Sequence, residues 1–271
     1  MVQKLLYLPA VASAHGDALD RMTLWVHVLM AVLFVGWSIY FVVALLRFRA
    51  SKSPKANPQG VENHASTYVE VAVIIAEAVL LLGFSIPLWA ERVNQFPSEK
   101  DATVVRVVGQ QFAWNIHYPG PDGKFGKTSA KLVDPQSNPI GLDRSDPDAA
   151  DDVVTINQLH LPVGKPVIIH ISSLDVIHSF AIQEMRVKQD AVPGMSTPVW
   201  FVPTVTSEDM KKQHADDEKW TYEINCAQLC GLGHYRMVGY VAIDTPEQYQ
   251  AWMDSEVKKA KSGGGEEGFW G

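Results

Sequence analysis

Two thiols, an imidazole and a thioether lie within one short stretch, Cys226-Ala227-Gln228-Leu229-Cys230-Gly231-Leu232-Gly233-His234-Tyr235-Arg236-Met237. The pattern is C-x3-C-x3-H-x2-M, and the chain has 2 cysteines in all, so both are committed here. Thiolate and thioether sulfur with imidazole suit copper better than calcium, magnesium or manganese. Gly231 and Gly233 reach backbone dihedrals that other residues resist, so the loop can fold back and bring Cys226, Cys230, His234 and Met237 to one point. The plainer reading of a cysteine pair in an exported domain is a disulfide. Three intervening residues would close a very small ring, and the neighbouring His and Met would then have no purpose. A mononuclear blue site needs one Cys, two His and a weak Met, which leaves the second cysteine without a role.

The stretch resembles the dinuclear copper A loop of cytochrome c oxidase subunit II, a resemblance that extends over nearly the whole chain. In that family a second histidine arrives in a D-V-x-H-S motif, matched here by Asp175-Val176-Ile177-His178-Ser179. The resemblance implies that His178 and His234 each bind one copper and that Cys226 and Cys230 bridge the pair. It also implies that Met237 is a weak ligand and that the Gln228 backbone carbonyl completes the set. The family usually carries glutamate between the cysteines, where it helps bind a magnesium shared with subunit I. Gln228 keeps the carbonyl and loses the charge, and a neutral amide is a poorer ligand for a hard cation, which puts the magnesium contact in doubt.

Elements able to position such a site follow from the apolar pattern. Leu24 to Leu46 is a nearly uninterrupted apolar run, about 34 Å long as a helix and long enough to cross a bilayer. Arg47, Arg49, Lys52 and Lys55 follow it, and positive flanks mark the cytoplasmic side, so the amino terminus lies outside. A polar connection, Ser51 to Ser66 with Pro54 and Pro58, leads to a second run, Val69 to Ala90, which returns outward. Residues 1–22 are either a signal peptide, with Ala12-Ser13-Ala14 as its small-residue site, or a retained segment. Glu70 and Glu77 lie in the second span, and an intramembrane carboxylate is a functional hypothesis by default. In the family a glutamate at the Glu70 position opens a proton path into subunit I. Both residues are therefore candidates for proton uptake, beside the plainer roles of an interfacial carboxylate and a helix–helix hydrogen bond. Val73 and Glu77 stand where the family usually has Trp and Pro.

Beyond Thr103 alternating apolar residues announce a β-rich region. Further strands are expected at Val153–Ile156, Pro166–Ser172 and Val199–Pro203, forming an antiparallel sandwich or small barrel. The resemblance implies a cupredoxin-like domain. Gln111-Phe112-Ala113-Trp114 stands where the family has Q-W-Y-W, whose first tryptophan takes electrons from cytochrome c. Phe112 is the first candidate for that role and Trp114 the second, and strand core is the plainer reading of Trp114. Residues 119–152 read as a long, acidic surface insertion rich in turn signals, either merely solvated or steering a basic partner. His160, His170 and His214 fit no ligand spacing. Pro246 to Lys261 reads as a terminal helix and Ser262 to Gly271 as a Gly-rich flexible tail. The absence of C-x-x-C-H means that no covalent haem domain lies in this sequence.

The expected organisation is a segment at 1–22, a transmembrane helical hairpin at 23–97, an all-β cupredoxin-like exported domain at 98–245, and a helix with tail at 246–271. The implied function is electron uptake from cytochrome c by dinuclear copper in a bacterial plasma-membrane oxidase. The N-terminus and the C-terminal domain would lie on the periplasmic side. Haems and copper B sit in partner subunit I, with further subunits and lipid as partners and no nucleic acid. Oxygen reduction to water and proton translocation belong to the complex, not to this chain alone. A nitric oxide reductase subunit and a membrane-anchored mononuclear copper carrier stay open, whereas a nitrous oxide reductase would need a second histidine-rich domain not seen here.

Overall fold

The computed structural model describes residues 2–52, 55, 59 and 63–262. Contacts divide the chain into two units, Met1–Leu8 with Ala18–Asn94, and Pro9–Asp17 with Gln95–Gly271.

The first unit is helical. A short α1 (Val2–Leu5) precedes α2 (Gly16–Arg47), whose 32 residues span about 48 Å, more than a hydrocarbon core requires. A second continuous helix, Ala65–Asn94, consists of α3 (Ala65–Ala78), a π-helical stretch (Val79–Ser85) and α4 (Ile86–Asn94). Both helices are long and apolar enough to cross a membrane, and their most apolar windows are 0% buried, which leaves them open to lipid or partner helices. The predicted spans fall inside these helices. The π stretch has a local cause: Pro87 cannot donate to the carbonyl of Gly83 and its ring crowds that group, so the preceding turns widen. Pro54 and Pro58 of the predicted connection lie outside the described residues.

The second unit is a sandwich of two five-stranded sheets. One sheet contains β1 (Thr103–Gln110), β2 (Ala113–Tyr118), β3 (Val153–Ile156), β5 (Val167–Ser173) and β8 (Thr197–Phe201), in the order β3-β2-β1-β5-β8. The other contains β4 (Gln158–Pro162), β6 (His178–Ile182), β7 (Val187–Ala191), β9 (Tyr222–Cys226) and β10 (Val238–Asp244), in the order β4-β10-β9-β6-β7. Strand alternation sorts the faces: in β1, Thr103, Val105, Val107 and Gly109 alternate inward with less buried neighbours. Val107, Trp114, Ile116, Ile169 and Phe201 from one sheet and Leu159, Phe180, Ile182, Ile224 and Val241 from the other form one core. The sandwich is mixed and not purely antiparallel as expected, because β1 runs parallel to β5 and β10 runs parallel to β4. Those pairs join strands distant in sequence, which hairpin-like spacing does not reveal. Asn157, in the left-handed region at φ 56°, ties the two sheets together. It exchanges backbone and side-chain bonds with the Trp114 peptide at 2.8 Å and accepts from Tyr240 N at 2.7 Å.

The insertion is more than a solvated loop. Ile140, Leu142 and Ala149 make a small core of their own against Val108 and Val154. Its end is anchored by Asp152, whose buried Oδ2 accepts from His117 Nε2 at 2.7 Å and from Gly126 N at 2.8 Å. Asp134 and Asp143 are likewise engaged locally, accepting from Ser137 and Ser145.

Residues Pro9–Asp17 run into the β unit as a strap, where the sequence reading kept 1–22 as a separate segment. Ala12 is 0% exposed within the core. Its N–H donates to Glu184 O and its carbonyl accepts from Thr204 N, both at 2.8 Å. Ser13 Oγ donates to Met185 O at 2.7 Å, and Ala14 N donates to Val202 O at 3.0 Å. The short α5 (Ser207–Gln213) follows β8. The terminal helix is found as expected: α6 (Pro246–Lys261) starts with a Thr245/Gln248 capping box and buries Met253 and Val257. Residues 263–271 of the expected tail lie outside the described residues.

Candidate metal centre

His178 opens β6 and Cys226 closes β9, and these strands are antiparallel neighbours, so both side chains reach the same end of one sheet. The chain then loops through Cys230 to a 3-10 turn, His234–Arg236, and Met237 directly precedes β10. Ligand-capable atoms of His178, Cys226 and Cys230 all lie within 4.8 Å of one another, so the group could hold a metal ion. The sulfurs are 3.8 Å apart and both thiols are free, which removes the disulfide reading in this structure.

The donors gather around the two sulfurs, and Cys226 is in hydrogen-bond reach of His234 as well. Cys226 Sγ lies 3.9 Å from His178 Nδ1 and 3.2 Å from the Gln228 carbonyl oxygen. Cys230 Sγ lies 3.6 Å from His234 Nδ1 and 3.7 Å from Met237 Sδ. Every residue picked from the loop and from the D-V-x-H-S motif is therefore in one cluster. The set of two thiols, two imidazoles, a thioether and one carbonyl is the soft mixture that copper takes and hard cations do not.

The electrostatics are asymmetric. Burial opposes ionisation of Cys226, yet hydrogen bonds from His178 and from the Ser179 and Gln228 backbone outweigh it and bring the thiol down to about 6. Burial and the adjacent Cys226 sulfur push Cys230 up to about 11. Burial also opposes charge on His178, but the Cys226 thiolate and the Asp175 carboxylate hold the imidazole above its ordinary value. Metal entering such a group displaces protons, since thiolates and neutral imidazoles are the ligating forms.

Supporting residues fix the orientation. His178 Nε2 is 2.9 Å from Asp175 Oδ1, the outer carboxylate that typically fixes a ligating imidazole's ring and tautomer. Trp114 packs edge-on against the His178 ring with centroids 6.0 Å apart, and edge-on against Phe180 at 5.7 Å. Trp114 is 0% exposed, so its indole is core against a ligand histidine and not a surface group. Phe112 is half-buried, and its ring lies under the cysteine loop: a Cβ added to Gly233 would sit 2.4 Å from Phe112 Cδ2. The Arg236 guanidinium stands 5.9 Å from the same ring. Around this end the loop exposes Leu229 (78%), Leu232 (97%) and Tyr235 (83%), an apolar tip on the β unit.

The other candidates have surroundings of their own. Glu70 and Glu77 are exposed on α3, and Glu77 lines an apolar groove of about 340 Å³ within the helical unit with Met22, Met30, Leu81 and Ser85. His160 pairs with Asp244 at 2.7 Å and stacks on Trp252, His170 is 3.9 Å from Glu99, and His214 stacks on Trp220, so none joins the centre. Sequence reading gave no role to Gln111, whose amide donates to the Cys230 carbonyl across 119 residues, a separation that left no local signal. The Asp175 contact was within reach, since an Asp three residues before a ligand histidine is part of the motif itself.

A cupredoxin-like sandwich with a soft-donor group at one end, in a chain with two membrane-length helices, fits a membrane-anchored subunit with a candidate copper domain. The profile described as "Cytochrome C oxidase subunit II, periplasmic domain" matches residues 103–243. The chain is 33% identical over 247 residues to the alternative cytochrome c oxidase subunit 2 of Bradyrhizobium diazoefficiens, covering 89% of this chain and 79% of that one. It is 26% identical to cytochrome c oxidase subunit 2 of Cereibacter sphaeroides over 242 residues, 84% of this chain and 72% of that one. Among solved structures, the periplasmic domain of subunit II of cytochrome oxidase from Bradyrhizobium japonicum aligns with TM-score 0.41 and 24% identity, covering 61% of this chain and 99% of that one. The chain belongs to the cytochrome c oxidase subunit II family, the second subunit of haem–copper oxidases. Membership implies copper A, and the His/Cys group fits it in donor chemistry.

Proposed function

We propose that this chain is the electron-uptake subunit of a terminal oxidase that accepts electrons from cytochrome c. When bound, the dinuclear copper supplies a one-electron relay between that donor and the haem of subunit I, where copper B and oxygen reduction also reside. The observation that carries the reading is the paired donor set, with Cys226 beside His178 and the Gln228 carbonyl, and Cys230 beside His234 and Met237. We assign those six residues as the ligands. A single-copper carrier would leave half of this set unused, and family membership does not favour it.

The remaining roles belong to the chain's own side chains. Asp175 holds the His178 ring, and Trp114 walls it from the core side. The exposed tip of Leu229, Leu232 and Tyr235 excludes water where a donor protein approaches, and Phe112, directly beneath the loop, is the aromatic residue assigned to electron uptake. Trp114 is the second assignment, acting behind His178. Glu70 and Glu77 are assigned to proton uptake, Glu77 because it is the carboxylate of an otherwise apolar groove. Magnesium is not assigned, since Gln228 lacks the carboxylate. The domain limits at 23–97, 98–245 and 246–271 and a bacterial plasma-membrane location, with the β unit periplasmic, complete the proposal.

The test is copper content and electron spin resonance on the full chain, because the β unit includes Pro9–Asp17. Two coppers per chain with one unpaired spin shared over both nuclei is the expected result. One copper, or none with a Cys226–Cys230 disulfide, overturns it. For the proton assignment, Glu77→Gln in the assembled oxidase is expected to slow turnover and proton uptake, and unchanged rates refute the role.

A further inference from the structure

One residue of the β1–β2 turn touches both ligand-bearing loops. Gln111 N donates to Asp175 Oδ2 at 2.8 Å, and the other oxygen of Asp175 holds His178. Gln111 Nε2 donates to the Cys230 carbonyl at 2.6 Å. A Cβ added to Gly231 would lie 2.7 Å from that same nitrogen, so the amide lies across the peptide that follows Cys230. Of the loop's backbone bonds, Ala227 N to Ser179 O at 2.8 Å comes before this peptide, and His234 N to Gly231 O at 3.1 Å, Arg236 N to Gly233 O at 3.0 Å and Met237 N to His234 O at 3.2 Å come after it.

Gly231 sits at φ +133°, a conformation that glycine reaches without strain and also leaves easily. Glycine thus supplies the bend but no rigidity, and the peptide plane between Cys230 and Gly231 needs an outside hold. We propose that Gln111 is a positioning residue: its side chain fixes the Cys230 carbonyl and with it the direction of the Cys230 sulfur. Its backbone separately serves the Asp175–His178 branch. The two functions are separable by mutation, because every substitution except proline keeps the backbone N–H. The inference rests on the copper reading above for its consequence at the metal, and not for the clamp itself.

The experiment uses the full chain with Gln111→Met, similar in length without an N–H donor, and Gln111→Glu, the same shape with an acceptor facing the carbonyl. In the apo chain, amide exchange at His234, whose N–H donates to Gly231 O, is expected to speed up roughly tenfold, as for loss of one net hydrogen bond, with exchange at Val176–His178 unchanged. In the copper-loaded chain, loss of copper to a chelator is expected to accelerate by a similar factor, with altered cysteine hyperfine couplings. Unchanged exchange at His234, or equal loosening of both loops, overturns the inference. If the parent chain takes no copper pair, the functional reading falls while the apo exchange still decides the clamp.

Discussion

Replacing Gly233 with alanine tests how tightly the cysteine loop is seated. The added Cβ would meet Phe112 Cδ2 at 2.4 Å, Cγ at 2.6 Å and Cε2 at 2.7 Å. Carbon atoms rest at about 3.5–4.0 Å, so ring or loop must give by about 1 Å. The clash reaches Cγ at the root of the ring, so the ring cannot clear it by swinging its far end. The loop therefore lifts and carries His234, whose Nδ1 is 3.6 Å from Cys230 Sγ. Metal sites hold ligand distances to within about 0.2 Å, so a shift of that size is felt in full. Overpacking of this kind costs about 1–3 kcal/mol. The apo loop relieves it by lifting and the copper-bound loop cannot, so the cost falls on binding and, at about 1.4 kcal/mol per decade, lowers copper affinity by roughly 5- to 150-fold. Chelator competition on the full chain measures it, with the spin resonance spectrum as a check on geometry. Gly233→Ala with Phe112→Ala should recover part of the loss, giving a coupling energy of about 1 kcal/mol or more. Wild-type affinity and spectrum in Gly233→Ala alone would refute the picture of Phe112 as the floor of the loop.

Four further substitutions have expected outcomes. Asp152→Ala leaves His117 Nε2 and Gly126 N without their shared buried acceptor, so denaturant unfolding should show a loss of about 3 kcal/mol. Burial holds His117 below its ordinary value despite Asp152, so the folded chain resists protonation that the unfolded chain accepts. This stabilising contribution is present above the usual histidine value of about 6.5 and drains away as pH falls toward the lowered one; His117→Gln should flatten that part of the stability profile. Ala12→Asp places an unpaired charge in the core and should cost several kcal/mol in the same unfolding assay, while intact-mass measurement of the mature chain should find Pro9–Asp17 retained. Leu232→Asp, at a side chain that contacts solvent, should slow electron uptake from cytochrome c severalfold without altering copper content. Equal rates would remove the apolar tip from donor docking.

Most of the donor set was legible because it is local, whereas His178, 48 residues from Cys226, came only through the resemblance. Cys226 to Met237 is one loop, and the terminal helix announces itself through Thr245-Pro246-Glu247 and Gln248. Both membrane-length helices follow from apolar run length alone. What escaped were pairings across long separations, namely β1 beside β5, Gln111 on Cys230, and Ala12 between Glu184 and Thr204. Alternation states which face of a strand is apolar and says nothing of its neighbour. The insertion misled in another way. Its aspartates read as surface charge, yet Asp152 is buried because His117 and Gly126 donate to it, partners that composition does not reveal.

The strap also sets a timetable for biogenesis. Ser13 is made early but its partner Met185 comes 172 residues later. At about 5–20 residues per second that gap lasts roughly 10–35 s, a span in which the exported end of the nascent chain waits without its partners. Until then the slot for Ala12 in the sandwich does not exist. Closure of the domain is therefore a late step that needs the two distant segments on the same side of the membrane, so a chain that inserts one of its two helices without the other would be unable to finish the fold.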